Sequence, residues 1–265
     1  MNVDLLLIDP QKDFCNSDGA LFVPGAEEDS VRLAAMIDRI GPKLNDIHVT
    51  LDTHHAFDVA HPCFWANSQG EHPDPFTIVT PEDVDNGVWF CAIPNARSRA
   101  KDYIHALQDG KRYPHMIWPP HCLIGTPGAC VTESIREALA KWEASAPGMF
   151  VDYVSKGSNL WSEHFSAVMA EVPDPDDNST QLNTTLIQTL QEVDLIAISG
   201  QALSHCVANT VRDIADNFGE ENVKKFVLLT DTTSNVPLCE AMGEQFVKDM
   251  TARGMQTALS TDFLA

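Results

Sequence analysis

The sequence predicts an α/β protein, a three-layer αβα sandwich built on a mostly parallel, doubly wound sheet. Two observations carry that prediction. Short, nearly continuous apolar runs recur along the 265 residues, the pattern expected of strands buried on both faces of a parallel sheet. Between most of them lie longer segments with apolar residues at helical spacing. Such alternation implies crossover connections through helices packed on both sides of one sheet.

Six runs read as strands: "VDLLLID" (3–9), "DIHVTLD" (46–52), "HMIW" (115–118), "MFVDYVS" (149–155), "VDLIAISG" (193–200) and "KFVLLTD" (225–231). Helical patterns occupy 28–40, 95–108, 131–143 and 239–254, and Gly254 sits where a glycine is favoured just past a helix end. The stretch "ISGQALSHCVANTVRDI" (198–214) reads as strand, sharp turn and helix, because the apolar run breaks at Ser199 and Gly200 and resumes with helical spacing at Val207, Val211 and Ile214. Residues 62–93, rich in Pro, Gly and acids, read as a long loop excursion, and 172–182 ("VPDPDDNSTQL") as an acidic insertion. With no repeat and no linker, residues 1–265 read as a single domain.

Composition narrows the function classes. Seventeen basic against 38 acidic residues give a formal charge of −21, which repels nucleic acid and anionic membrane and suits a small neutral or cationic ligand. "MNVDLLLIDPQKDF" has four consecutive apolar residues and no basic leader, so no signal peptide is expected, and no run approaches the ~18 apolar residues of a membrane span. The seven scattered cysteines, without a CxxC pair, read as reduced thiols in a cytoplasmic protein rather than a thiolate zinc site.

Reactive side chains gather at strand ends, where doubly wound folds place their sites. Asp9 ends the first strand, Asp52 the second, Lys156 follows the fourth, and Cys206 lies beyond the fifth at the mouth of a helix, a position that favours a thiolate. Any one of these acids alone reads more often as a turn former or helix cap. Together, a thiol nucleophile, a carboxylate that moves its proton and an ammonium beside both form a coherent amide-cleaving set, with backbone N–H groups near Ala202 and Cys206 available to an oxyanion. Asp52 and His54, two apart in an extended chain, point the same way. With His61 and His121 they make a carboxylate–imidazole set that suits a divalent metal, Zn, Fe or Mn.

These motifs resemble the isochorismatase-like cysteine hydrolases and, within them, the nicotinamidases. The likeness runs in order through "DPQKDFC" (9–15), "GALFVPGA" (19–26), "DTHH" (52–55), "WPPHCLIGTPGA" (118–129), "KGSNLWSEHFSA" (156–167) and "GQALSHCV" (200–207). The resemblance implies that Cys206 is the nucleophile, Asp9 the proton carrier and Lys156 its electrostatic partner. It implies metal binding by Asp52, His54 and His121, with His61 as fourth candidate and Zn ahead of Fe or Mn. Phe14 and Trp118 would flank an aromatic ring, and a cis peptide would join Gln201 to Ala202. The implied activity is conversion of nicotinamide to nicotinate and ammonia through a thioester. A related hydrolase of another small amide or ureide, and a catalytically silent binding module, are the alternatives. The partner expected is a small-molecule amide, not nucleic acid or membrane, with a homo-oligomer left open.

Overall fold

The computed structural model describes Met1–Ala265. The chain begins with β1 (Val3–Ile8), a single turn α1 (Lys12–Cys15), α2 (Ala26–Ile40) and β2 (Asp46–Asp52). An excursion follows, with β3 (Trp65–Ala66), β4 (Ile78–Val79), α3 (Pro81–Asp85), β5 (Phe90–Cys91), α4 (Arg97–Asp109) and β6 (His115–Met116). The remainder is α5 (Glu133–Glu143), β7 (Asp152–Lys156), α6 (Thr184–Gln191), β8 (Leu195–Gly200), α7 (Ala208–Phe218), β9 (Phe226–Leu229), α8 (Glu240–Ala252) and β10 (Gln256–Ala258).

Six strands form one wholly parallel sheet in the order β10-β9-β8-β1-β2-β7. Successive side chains of a strand alternate between faces, and β1 shows why its run is continuously apolar. Leu5 and Leu7 pack with Leu33 and Ile37 of α2 and Ile135 and Leu139 of α5 on one face. Leu6 and Ile8 meet Leu190 of α6, Val211 and Ile214 of α7 and Phe246 of α8 on the other. The result is the αβα sandwich that the alternation predicts.

Four segments depart from the sequence reading. The run 115–118 does not enter the main sheet: only His115–Met116 is strand, and it pairs antiparallel with β4. Ile117 and Trp118 donate their amides to Thr77 and Ala60 instead, tying the excursion down. The excursion itself is more than loop. β3 pairs with β5, and Phe64, Trp65, Val79 and Cys91 close a separate small core with Tyr103 and Ile104 of α4. The sequence patterns also miss α6, whose threonine-rich start is a poor helix former; Asn183 caps it by accepting from the Leu186 amide. The edge strand β7 is largely exposed along Asp152–Ser155 rather than buried on both faces. No helix is long and apolar enough to cross a membrane.

Near the amino ends of β1, β2 and β7, a buried His48 lies 3.3 Å from Asp4 and 2.8 Å from Asp152, linking three adjacent strands. Burial opposes an imidazolium here, but the two carboxylates outweigh it and raise the His48 pKa above its ordinary 6.5. The stabilisation is therefore complete below about pH 6.5 and is lost as pH rises through the elevated value. Replacing His48 with Gln should cost about 3 kcal/mol in urea unfolding at pH 6, the scale for breaking a buried pair. The gap between variant and native protein should narrow at pH 9; an unchanged gap would show that the imidazolium contributes nothing.

Candidate active site

Strands β8, β1, β2 and β7 are consecutive and parallel, so their carboxyl ends finish side by side. Cys206 follows β8, Asp9 follows β1, Asp52 ends β2, and Lys156 ends β7 as the register partner of Asp52. Gly200 makes the first turn possible: its φ is +117°, and a Cβ there would lie 1.9 Å from the Ile8 carbonyl oxygen. The Gln201–Ala202 peptide is cis. The turn Leu203–Val207 then buries Cys206 just ahead of α7. Within this turn the Ala202 carbonyl accepts from the amides of His205 and Val207, while the Ala202 amide donates to no group of the chain.

Lys156 is the hub. Its ammonium donates to Asp52 Oδ1 at 2.9 Å, to the His164 carbonyl at 2.9 Å and to Cys206 Sγ at 3.6 Å. Those bonds use its three donors. Asp9 Oδ2 also lies 2.9 Å from Nζ, so one ammonium is shared between two carboxylates. The other oxygen, Oδ1, accepts from the Thr50 hydroxyl at 2.5 Å. Asp9 takes a left-handed φ of 46°, which aspartate tolerates better than most residues, and its amide is held by Thr50 on β2.

The charges follow from these contacts. Burial works against the Lys156 ammonium, but Asp52, Asp9 and Cys206 outweigh it and hold its pKa well above the usual lysine value. Burial likewise opposes the Asp52 carboxylate, yet His54 and Lys156 keep it ionised, well below the ordinary range. Asp9 moves the other way: burial raises its pKa, Lys156 opposes the rise and Asp52 adds to it. Burial also pushes the Cys206 thiol well up, with Lys156 pulling down and Asp9 pushing up. The expectation of a resting thiolate at a helix mouth is thereby corrected. Desolvation, with Asp9 and Asp52 adding to it, outweighs the pull of the Lys156 ammonium.

Asp52, His54 and His121 form the one cluster with ligand spacing, their donor atoms lying within 4.8 Å of one another. Asp52 Oδ2 is 3.1 Å from His54 Nε2 and 3.3 Å from His121 Nε2. On the far side of each ring, Nδ1 meets an acceptor: Asp58 for His54 and the Pro119 carbonyl for His121. Those partners hold each ring with Nε2 turned towards Asp52, the arrangement that orients imidazoles for a metal. His61 lies beside them, its ring 5.1 Å from that of His54 and 5.4 Å from that of His121. Its Nδ1 faces the His55 and Ala56 carbonyls, and its buried Nε2 has no partner. Burial, with His54 and His121 adding, depresses its pKa to about 4, so it is neutral. Converging imidazole nitrogens around a carboxylate, with an orphaned imidazole nitrogen alongside, fit a divalent cation; His55 is exposed and takes no part.

Between these groups lies a pocket of about 380 Å³ including its mouth, walled by Phe14, Trp118, Phe165 and Val236, with Asp52, His121, Ala202 and Cys206 also on its surface. Phe14 and Trp118 both line this pocket. Two further lining residues escaped the sequence reading. His205 stands against Trp118 and Phe165, with ring centroids 5.2 and 5.3 Å apart; burial lowers its pKa to about 4, so it is neutral. Glu163 is buried with Oε2 unpartnered, and burial raises its pKa. Glu163 stands in a mixed polar and apolar stretch after Lys156, so its local sequence does not single it out.

No protein-family model and no curated protein sequence matches the chain. Solved structures do. An Acinetobacter baumanii nicotinamidase pyrazinamidase is 20% identical, over 99% of this chain and 98% of that one, with a TM-score of 0.66. The yeast nicotinamidase bound to the inhibitor nicotinaldehyde is 18% identical over 98% and 100%, with a TM-score of 0.68. A Pyrococcus horikoshii pyrazinamidase in complex with zinc is 18% identical over 97% and 98%, with a TM-score of 0.57. At this level of identity the likeness speaks for architecture, and the chain has the isochorismatase-like αβα fold.

Proposed function

We propose that the chain is a cysteine amidohydrolase that converts nicotinamide to nicotinate and ammonia. The observation that carries this reading is the buried meeting of Asp9, Lys156 and Cys206 at an aromatic-walled pocket that also reaches the Asp52–His54–His121 cluster. The solved nicotinamidases and pyrazinamidases that share the fold support it.

In this reading the Cys206 proton passes to the Asp9 carboxylate as the sulfur attacks the amide carbon. The carbonyl π electrons move to oxygen, and the amides of Ala202 and Cys206 receive the negative charge. Asp9 then gives its proton to the departing nitrogen. The C–N bond breaks, ammonia leaves, and the acyl group remains on sulfur as a thioester. Asp9 next takes a proton from water as the water oxygen attacks the thioester carbon; the C–S bond breaks, Asp9 returns that proton to sulfur, and the nicotinic acid formed loses its own proton to solvent as nicotinate. Lys156 stays charged throughout and holds Asp9 and Asp52 in place. Phe14 and Trp118 flank the ring. Asp52, His54 and His121, with His61 beside them, would hold a divalent ion, Zn ahead of Fe or Mn, whose Lewis acidity suits an interaction with the pyridine nitrogen.

Purified protein should release ammonia from nicotinamide and far less from benzamide, which lacks the ring nitrogen. No release by folded, metal-loaded protein would transfer the reading to other small amides or ureides. Cys206→Ala should lower turnover by at least about 10³-fold with the melting temperature kept, as expected for loss of a nucleophile; a fully active variant would remove Cys206 from the chemistry. Chelator-stripped protein should take up a single divalent ion by calorimetry and melt at a higher temperature once loaded. Asp52→Ala should abolish that uptake. Equal uptake by the variant would locate the ion elsewhere.

A further inference from the structure

We infer that Asp29 is a positioning residue for the reaction: through Gln201 and Ser234 it fixes the turn whose Ala202 amide receives the oxyanion. The inference rests on the amidohydrolase reading above and concerns groups that touch neither substrate nor metal cluster.

Asp29 lies near the start of α2 and is 3% exposed; Gln201, in the turn after β8, is 2% exposed. Asp29 Oδ2 accepts from Gln201 Nε2 at 3.0 Å and from the Ser234 hydroxyl at 2.6 Å, and Oδ1 accepts from the Arg32 guanidinium at 2.6 Å. The ring closes through main chain. Gln201 Oε1 accepts from the Ser234 amide at 3.1 Å, and the Ser234 carbonyl accepts from the Leu203 amide at 2.8 Å. The residues on both sides of Ala202 are thus tied to one serine and one carboxylate. Gln201 is also held by its own amide, which donates to the Ile8 carbonyl next to Asp9 at 2.8 Å. Arg32 anchors the far side by donating to the Asp231 carbonyl.

The chemistry argues for placement rather than for filling space. A glutamine buried this deeply is tolerated only when its amide is bonded, and here both its oxygen and its nitrogen are. An apolar side chain would occupy the same volume without fixing direction, whereas a closed polar ring admits one arrangement. The carboxylate is an acceptor-only group on which three donors converge, the setting in which charge-assisted bonds are strongest. The close seating is written into α2 as well: Gly25 at its start has a φ of +96°, and a Cβ there would lie 2.7 Å from the Ser234 hydroxyl. The product of all this order is an Ala202 amide held beside Cys206 with no acceptor of its own.

Two variants test the role. Gln201→Met keeps the volume and removes the amide; Asp29→Asn keeps the shape and removes the charge. Each should lower kcat for nicotinamide by about tenfold or more, a fraction of what complete loss of an oxyanion donor produces, with KM little changed. Nicotinaldehyde supplies a readout that a merely structural role would not move. Its carbonyl carbon bonds to the Cys206 sulfur, its π electrons go to oxygen, and the thiol proton, carried by Asp9, completes a thiohemiacetal. Affinity for this aldehyde should fall by the same factor as kcat/KM, because both depend on the tetrahedral oxygen, while affinity for nicotinate should stay at the native value. Folded variants with native kcat and native aldehyde affinity would overturn the inference. So would aldehyde and nicotinate affinities falling together, since that reports a damaged pocket. If Gln201→Met does not unfold cooperatively, Asp29→Asn decides alone. A native protein that neither releases ammonia nor captures the aldehyde overturns the amidohydrolase reading and this inference with it; an active native protein with unaffected variants overturns only the inference.

Discussion

The structure of the site depends on one buried cation. Removing the Lys156 ammonium from water is opposed by several kcal/mol, and it is stable only because Asp9 and Asp52 each stand 2.9 Å away and a main-chain carbonyl takes a third contact. No single strand could supply that surrounding. It requires β1, β2 and β7 to lie next to one another, parallel and in register, so that their carboxyl ends coincide. The sheet order is therefore what the ammonium needs, and in turn the ammonium pins the last residue of an otherwise exposed edge strand into the core.

The same cation separates two carboxylates that would otherwise behave alike. Asp52 has His54 and His121 as further partners and stays ionised, whereas Asp9 has one hydroxyl and a share of Lys156, and burial raises its pKa. Pairs whose environments push them apart in this way divide the work of holding charge and moving protons. A thiol at rest is consistent with that division. A permanent thiolate would add a third negative charge to one ammonium, and the Cys206 pKa rises accordingly. In the proposed reaction a base is needed only as the sulfur attacks, and Asp9 stands beside the ammonium that also contacts that sulfur.

Much of this was legible in the sequence because parallel strands buried on both faces leave an unmistakable apolar run, and whatever terminates it stands at the sheet edge where sites form. Asp9 and Asp52 could be placed from that rule alone, whereas Lys156 ends an edge strand that is largely exposed; the two-residue spacing of Asp52 and His54 put both side chains on one side. Legibility failed where tertiary contacts outweighed local pattern. "HMIW" is as apolar as the true strands, but its amides are claimed by Thr77 and Ala60, so it closes the excursion instead of widening the sheet. The helix Thr184–Gln191 depends on Asn183 and on burying Leu186, Ile187 and Leu190, not on propensity. Glu163, His205 and the Asp29–Gln201–Ser234 ring matter through what they face across the fold, and spacing along the chain carries no trace of it.

The two ends of the pocket are one electrostatic unit. Asp9 and Asp52 bring two acids to a single ammonium, while the Nε2 atoms of His54 and His121 turn towards the same Asp52. Without a further positive charge, acceptor would face acceptor at little more than 3 Å. A proton on His54 meets that need in the metal-free chain, where burial disfavours the imidazolium but Asp52 and Asp58 raise its pKa well above the ordinary value. A divalent ion held by Asp52, His54 and His121 would meet it in place of that proton. Asp52 and Lys156 are the two side chains that connect the imidazole end to the thiol end, because Lys156 contacts both Asp52 and the Cys206 sulfur.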